Sequence, residues 1–330
     1  MTTSFGTSEP ERRHNGRVAR GVAIGVVGAT GAVGRVALEL LRERGYTNVR
    51  AFASDRSAGK EVDGLTVEEA TPEALGAGDL DICFFAIGTP GSRELVPHAV
   101  RGGAIVIDKS SAYRLADGVP LVVPEVNGAR ALEHHGIIAN PNCSSIPLTC
   151  VLKPLHEAAG IARVRLSTYQ ARSGAGAESM ERLRSQDPAQ GNLEADWDFD
   201  GEEFDEEAKI RDESRKILEL PELPISASCV RVPVMVGHAE SIWIETVEPL
   251  SPEQAERLLA EARSVCLVEF PNPREAAGAD EVLVGRIRTD RAADGNGLAL
   301  FLACDNLRKG AALNAIQIAE RILAARAVAA

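Results

Sequence analysis

Residues 22–35 read Val22-Ala23-Ile24-Gly25-Val26-Val27-Gly28-Ala29-Thr30-Gly31-Ala32-Val33-Gly34-Arg35: an apolar, β-branched run that breaks at Gly28, crosses a glycine-rich turn and emerges into a helical pattern. The order of those three parts carries the meaning. Glycine permits a sharp turn and lets the backbone approach a pyrophosphate, whose charge the N-terminus of the following helix then stabilises. A glycine triplet alone is a weak signal. Between a strand and a helix it predicts a dinucleotide loop built from Gly28, Thr30, Gly31, Ala32, Val33 and Gly34. The competing reading is a tight strand-to-helix connection with no ligand.

Outward from this loop, short β-branched runs alternate with helical stretches. Strands are expected at residues 22–27, 49–53, 81–86 and 104–107, with a helix at 33–44, which is the pattern of a parallel sheet flanked by helices. After Asn140-Pro141-Asn142-Cys143 a second helical pattern opens at residues 146–156, and longer strands of an antiparallel kind are expected at 162–170, 226–236 and 241–248. The fold class is therefore α/β, a Rossmann-type dinucleotide-binding domain joined to a second, α+β domain for substrate and dimerisation. The expected division is residues 22–142, completed by a C-terminal helical segment at 309–330, and residues 143–308. Residues 1–21 read as a polar tail. The acidic run at 194–213 reads from composition as a solvated loop leading into an exposed helix.

The chain has 330 residues, enough for two domains, and a formal net charge of -12. That charge argues against nucleic acid or an anionic membrane as the main partner, so an anionic substrate has to be met by a few local Arg or Lys residues. No run approaches the roughly 18 to 20 apolar residues of a membrane span. The six cysteines form no C-x-x-C pair, so neither a disulfide framework nor a zinc site is indicated, no metal is expected, and a reducing cytoplasm fits.

Cys143 stands immediately before a helix among polar neighbours, where a helix dipole is expected to lower the thiol pKa. Cys83 and Cys304 lie in apolar runs and read as small buried hydrophobes. His238 follows Gly237 at the end of a strand pattern. Arg231 lies seven residues before it, so a regular strand would put the two on opposite faces, although Pro233 and Gly237 work against regularity. At the end of strand two, Asp55 suits a ribose 2′-hydroxyl, whereas Arg56, Ser57 and Lys60 offer donors to a 2′-phosphate. Side-chain types alone leave both open.

Several stretches taken together resemble the bacterial aspartate-semialdehyde dehydrogenase family: Gly28 to Gly34, Ser54-Asp55-Arg56-Ser57-Ala58-Gly59-Lys60, Ser110-Ser111-Ala112-Tyr113-Arg114, Val122-Val123-Pro124-Glu125-Val126-Asn127, Asn140-Pro141-Asn142-Cys143, Ser167-Thr168-Tyr169-Gln170, Cys229-Val230-Arg231-Val232-Pro233-Val234 and Asp305-Asn306-Leu307-Arg308-Lys309-Gly310. The resemblance runs in order over residues 22–322. It implies that Cys143 is the nucleophile, His238 the general acid/base and Gln170 the group that orients the substrate, with Asn142 beside the thiol. It further implies that Arg231 meets the substrate α-carboxylate, Glu206 its amino group, and Arg114 with Lys209 the phosphate. Part of the acidic run is then implied to face the active site. NADP is the implied cofactor, with Ser54, Arg56 and Ser57 at its 2′-phosphate and Ser173, Gly174 and Asn306 completing its site. Lys109 departs from the family, which carries Asn before the Ser-Ser pair; this bears on substrate or phosphate affinity near Arg114.

The implied reaction is NADPH-dependent reduction of aspartyl phosphate to aspartate semialdehyde and inorganic phosphate through a Cys143 thioester, in a cytoplasmic homodimer or homotetramer serving lysine, threonine and methionine biosynthesis. Two readings compete. One is a reductase of another acyl phosphate of the N-acetylglutamyl phosphate type, against which Glu206 argues because an acetylated amine wants no carboxylate. The other is a nucleotide-binding homologue without chemistry, against which the presence of Cys143, Gln170, Arg231 and His238 argues.

Overall fold

The computed structural model describes residues 21–185 and 193–329. The expected N-terminal tail lies outside them apart from Gly21.

Two sheets organise the chain. The first holds β1 (Ile24–Val27), β2 (Val49–Ala53), β3 (Glu61–Val62), β4 (Leu65–Glu69), β5 (Ile82–Phe85), β6 (Ile105–Asp108) and β7 (Ile137–Ala139) in the order β3-β4-β2-β1-β5-β6-β7. All neighbours run parallel except β3 and β4. β1, β5 and β6 are buried at every position, which is why they read as continuous apolar runs. The helix Ala32–Glu43 and the terminal helix Leu313–Ala329 pack on one face, where Leu38, Leu41, Ile316 and Ile322 share a core with Ile24 and Val26. On the other face Val96 and Ala99 of the helix Thr89–Arg101 pack against Val27 and Phe85. Strand order reverses between β1 and β5, and in open α/β sheets ligands bind at such a switch point, outside the carboxyl ends of the strands.

The second sheet holds β8 (Ile161–Gln170), β9 (Ile225–Arg231), β10 (His238–Thr246), β11 (Val265–Leu267), β12 (Val282–Thr289) and β13 (Gly297–Cys304) in the order β11-β12-β13-β10-β8-β9. It is mixed rather than purely antiparallel as expected, because β8 with β9 and β11 with β12 are parallel pairs. The intervening helix Asp205–Leu218 supplies the crossover that a parallel β8–β9 pair needs. One face of this sheet packs on the helix Ser145–Ala159, in a core with Leu148, Leu152, Leu166 and Ile242. The opposite face carries Arg165, Ser167, Trp243 and Glu245 around a concavity of about 830 Å³.

Candidate active site

Three strands deliver three side chains to one end of the second sheet. Gln170 and Arg231 lie opposite each other where β8 and β9 pair, and the pairing of Ala239 with Tyr169 brings His238 to the same end. Period-two alternation turns all three inward, and all are buried. A single strand over residues 226–236 does not form. β9 ends at Arg231 and β10 begins at His238, with residues 232–237 turning between them, so register across strands and not spacing along one unites the pair.

Cys143 precedes the helix Ser145–Ala159 and is half-buried, with its Sγ 3.2 Å from His238 Nε2. The Ala171 backbone N–H donates to His238 Nδ1 at 2.9 Å. Nδ1 is therefore the acceptor, and in the neutral imidazole the proton sits on Nε2, facing sulfur. Burial, reinforced by the charges of Arg231 and Lys109, holds the imidazole down to about 3. The thiol behaves contrary to expectation. Burial first, and Glu206 second, push it up to about 11 against the opposing pull of Lys109, Arg114 and Arg231. A helix dipole supplies at most about 2 kcal/mol at close range, and here desolvation outweighs it. Cys83 and Cys304 are fully buried, as their apolar runs indicated.

Glu206 lies at the centre of the polar network. Its Oε1 accepts from Asn142 Nδ2 at 2.9 Å and from Gln170 Nε2 at 3.1 Å, while Lys209 Nζ stands 3.7 Å from Oε2 and 2.6 Å from Asp205. The composition of the acidic run pointed to solvent, yet Glu206 is only 5% exposed and Glu213 only 1%. Helical spacing explains the difference, because Glu206, Ile210, Glu213 and Ile217 form one buried stripe of the helix Asp205–Leu218.

Glu213, not anticipated from the sequence, fixes two groups at once. It accepts from Arg114 Nη1 at 2.8 Å and from the Asn142 backbone N–H at 2.6 Å. Arg114 also donates to the carbonyls of Asn140 at 3.1 Å and Lys109 at 2.5 Å. Arg231 donates to Asp196 through Nη2 at 2.9 Å and Nε at 3.2 Å and to the Ala171 carbonyl at 3.1 Å, and its guanidinium lies 4.6 Å over the Trp197 ring. The seven-residue step from Glu206 was the available signal for Glu213; Asp196 and Trp197 lie in irregular chain and had none. A cleft of about 220 Å³ opens among these groups, lined by Cys143, Gln170, Arg231, Glu206, Lys109 and Ile87.

The glycine loop meets this cleft through Ile87. A Cβ on Gly28, whose φ is +88°, would lie 2.6 Å from the Ala86 carbonyl oxygen and 2.9 Å from Ile87 Cγ2, and one on Gly34 would lie 2.1 Å from the Gly28 carbonyl oxygen. Strand, turn and helix thus close on one another at the switch point, leaving an uncapped helix N-terminus at Gly31, Ala32 and Val33 suited to a pyrophosphate. At the end of β2, Ser54 precedes a short turn of helix, and Asp55 Oδ1 accepts from the Arg56 backbone N–H at 2.7 Å. Ser54 and Arg56 are exposed and Ser57 half-exposed. Ser173 Oγ and the Gly237 N–H both bond the Asn306 side chain. Gly174 lies against Arg231 and His238: a Cβ there would stand 2.8 Å from Arg231 Nη1 and 3.3 Å from His238 Nε2. These donors fit a dinucleotide reaching from the glycine loop toward the thiol.

Comparison with known proteins agrees with this arrangement. The family described as semialdehyde dehydrogenase, NAD binding domain, matches residues 23–134, and the semialdehyde dehydrogenase dimerisation domain matches residues 152–309. An aspartate-semialdehyde dehydrogenase of Mycolicibacterium smegmatis is 46% identical over 92% of this chain and 99% of its own length, and one of Corynebacterium glutamicum is 44% identical over 91% and 99%. The crystal structure of aspartate semialdehyde dehydrogenase II from Vibrio cholerae, complexed with ASA, superposes with a TM-score of 0.87 at 37% identity, covering 92% of this chain and 98% of that one.

Proposed function

The chain belongs to the aspartate-semialdehyde dehydrogenase family, and from that premise we propose that it interconverts aspartyl phosphate and aspartate semialdehyde through a thioester on Cys143. The observation that carries the reading is the contact of Cys143 Sγ with His238 Nε2, 3.2 Å apart, in a cleft that also holds Arg231 and Glu206. The Arg231 guanidinium suits the α-carboxylate, and the Glu206 carboxylate suits a free ammonium, which argues against an N-acylated substrate. Gln170 and Asn142 act here through Glu206, since both amides donate to it.

In the reducing direction the Cys143 thiolate attacks the acyl carbon; the C–S bond forms, the bond to the phosphoryl oxygen breaks, and phosphate leaves with the electron pair. The nicotinamide cofactor, when bound, supplies the hydride that reduces the thioester. Thiolate then departs as the aldehyde C=O forms; the thiol's own proton goes with the departing phosphate and one proton is taken up to restore the thiol, so a turnover consumes one proton. His238, held by the Ala171 N–H as the Nε2–H tautomer, donates to sulfur and to the developing oxyanion. Arg114 and Lys209 receive the phosphoryl group.

The cofactor is a nicotinamide dinucleotide, and NADP is the form we favour. Asp55 is folded back onto its own turn, and Arg56 and Ser57 stand free to meet a 2′-phosphate. We take residues 22–142 with the terminal helix as the dinucleotide-binding unit and residues 143–308 as the catalytic unit. A second copy of the chain covers the open face of the second sheet around Trp243, giving a homodimer. No helix among the described residues is long and apolar enough to cross a membrane. Six unpaired cysteines suit a reducing cytoplasm. The test is phosphate-dependent reduction of NADP and NAD with a panel of aldehydes. Aspartate semialdehyde with NADP gives the highest kcat/KM; preference for an N-acylated aldehyde overturns the substrate reading.

A further inference from the structure

Four cations line the cleft around Cys143: Lys109, Arg114, Lys209 and Arg231. Three of them already hold carboxylates, Arg114 on Glu213, Lys209 on Asp205 and Arg231 on Asp196. Lys109 differs. Its backbone is fixed, with the N–H donating to the Phe85 carbonyl at 2.9 Å and the carbonyl accepting from Arg114, but no carboxylate among the described residues pairs with its ammonium. The side chain is half-buried in the cleft, and the groups whose charges reach it are Cys143, Arg114, Glu206 and Asp108. It acts in turn on His238.

A partly dehydrated ammonium that no carboxylate pairs with directly is unfavourable, and the arrival of an anion in contact with it reverses that. The reaction brings two anions into the cleft, an α-carboxylate and a phosphoryl group. The planar fork of Arg231 matches the first, and a compact point charge serves phosphate oxygens well. Arg114 and Lys209 must share any phosphate with carboxylates they already hold, whereas Lys109 gives up nothing. Resting on the function proposed above, we infer that Lys109 is a specificity-determining cation for the phosphoryl subsite. Its ammonium, beside Cys143 and bonded through its own carbonyl to Arg114, sets the affinity for inorganic phosphate in one direction and for the acyl-phosphate's leaving group in the other.

The test follows alkylation of Cys143 by iodoacetamide in the full-length protein, with inorganic phosphate as the probe and potassium chloride at equal ionic strength as the control. In the unmodified chain phosphate slows alkylation saturably and chloride does not. Lys109→Met raises the half-protecting phosphate concentration by about tenfold to a hundredfold, the range for losing one charge-assisted bond. Lys109→Arg keeps it within about threefold, because charge and donors survive. Unfolding temperature and dinucleotide binding verify that each variant is folded. Unchanged protection in Lys109→Met overturns the inference, as does a wild-type thiol that phosphate leaves unprotected. Slower alkylation of Lys109→Met without phosphate, combined with unchanged protection, also overturns it and gives Lys109 to the thiolate. None of these readings uses the aldehyde. If phosphate protects through Lys109 while aspartate semialdehyde is not turned over, the functional reading fails and this one stands.

Discussion

Replacing Arg231 by Lys keeps the charge and removes the fork. In the structure the guanidinium makes three directed contacts, two with Asp196 and one with the Ala171 carbonyl, while its plane lies over Trp197. An ammonium cannot make two parallel bonds to a carboxylate, and losing one charge-assisted bond is worth about 1.5–3 kcal/mol, or roughly tenfold to 150-fold in kcat/KM. The shorter reach also lets the reacting carbonyl drift from Cys143, which adds a loss of up to about a hundredfold in turnover. The combined expectation is a fall of about 10- to 10⁴-fold in kcat/KM for aspartate semialdehyde, expressed in both kcat and KM. Steady-state kinetics per folded molecule, with thermal unfolding in parallel, is the assay. A variant with shifted unfolding temperature and kcat/KM within about threefold of wild type would make Arg231 a structural partner of Asp196 and refute the clamp.

Gly174→Ala is expected to lower kcat/KM more than tenfold, because a methyl 2.8 Å from Arg231 Nη1 and 3.3 Å from His238 displaces pinned groups, an overpacking strain of about 1–3 kcal/mol. Wild-type kinetics there would show that the clamp tolerates movement. Arg56→Ala should weaken NADP binding by about tenfold or more and leave NAD nearly unchanged, the loss of one bond to a charged phosphate; equal effects on both cofactors, measured by titration, would return the choice to Asp55. The thiol, pushed up to about 11 by burial, is protonated at neutral pH, and reactive thiolate grows as pH rises toward that value. Alkylation of Cys143 should therefore accelerate about tenfold per pH unit from pH 7 to 9, and a plateau below pH 8 would mean that the helix terminus and the neighbouring cations prevail over desolvation.

The central strands of the first sheet, β1, β5 and β6, were legible because they are buried on both faces, and residues 49–53 were bounded correctly. The glycine loop was legible because backbone geometry demands that residue type. The short strands β3 and β4 alternate between polar and apolar over too few residues to stand out, and β7, β11, β12 and β13 went unread. The antiparallel reading of the second sheet holds for β8–β10, β10–β13 and β12–β13 and fails for β8–β9 and β11–β12, because a strand's own pattern does not encode its partner's direction. Cys143 and His238 were individually visible, but their contact depends on β10 beginning at His238 and on the end of β8 supplying the Ala171 N–H. Composition sent Glu206 to solvent, whereas the helical spacing of Glu206, Ile210, Glu213 and Ile217 already held the buried stripe. Resemblance named Glu206 and passed over Glu213 and Asp196, which hold Arg114 and Arg231 in position.

The covalent step is tested most directly by mixing the protein with aspartyl phosphate in the absence of NADPH, quenching in acid and locating acyl adducts by peptide mass spectrometry. A single hydroxylamine-labile aspartyl group on the peptide containing Cys143, absent from Cys143→Ala although that variant still binds NADP, is the predicted result. Full turnover by Cys143→Ala, or an adduct on any other cysteine with none on Cys143, would contradict it.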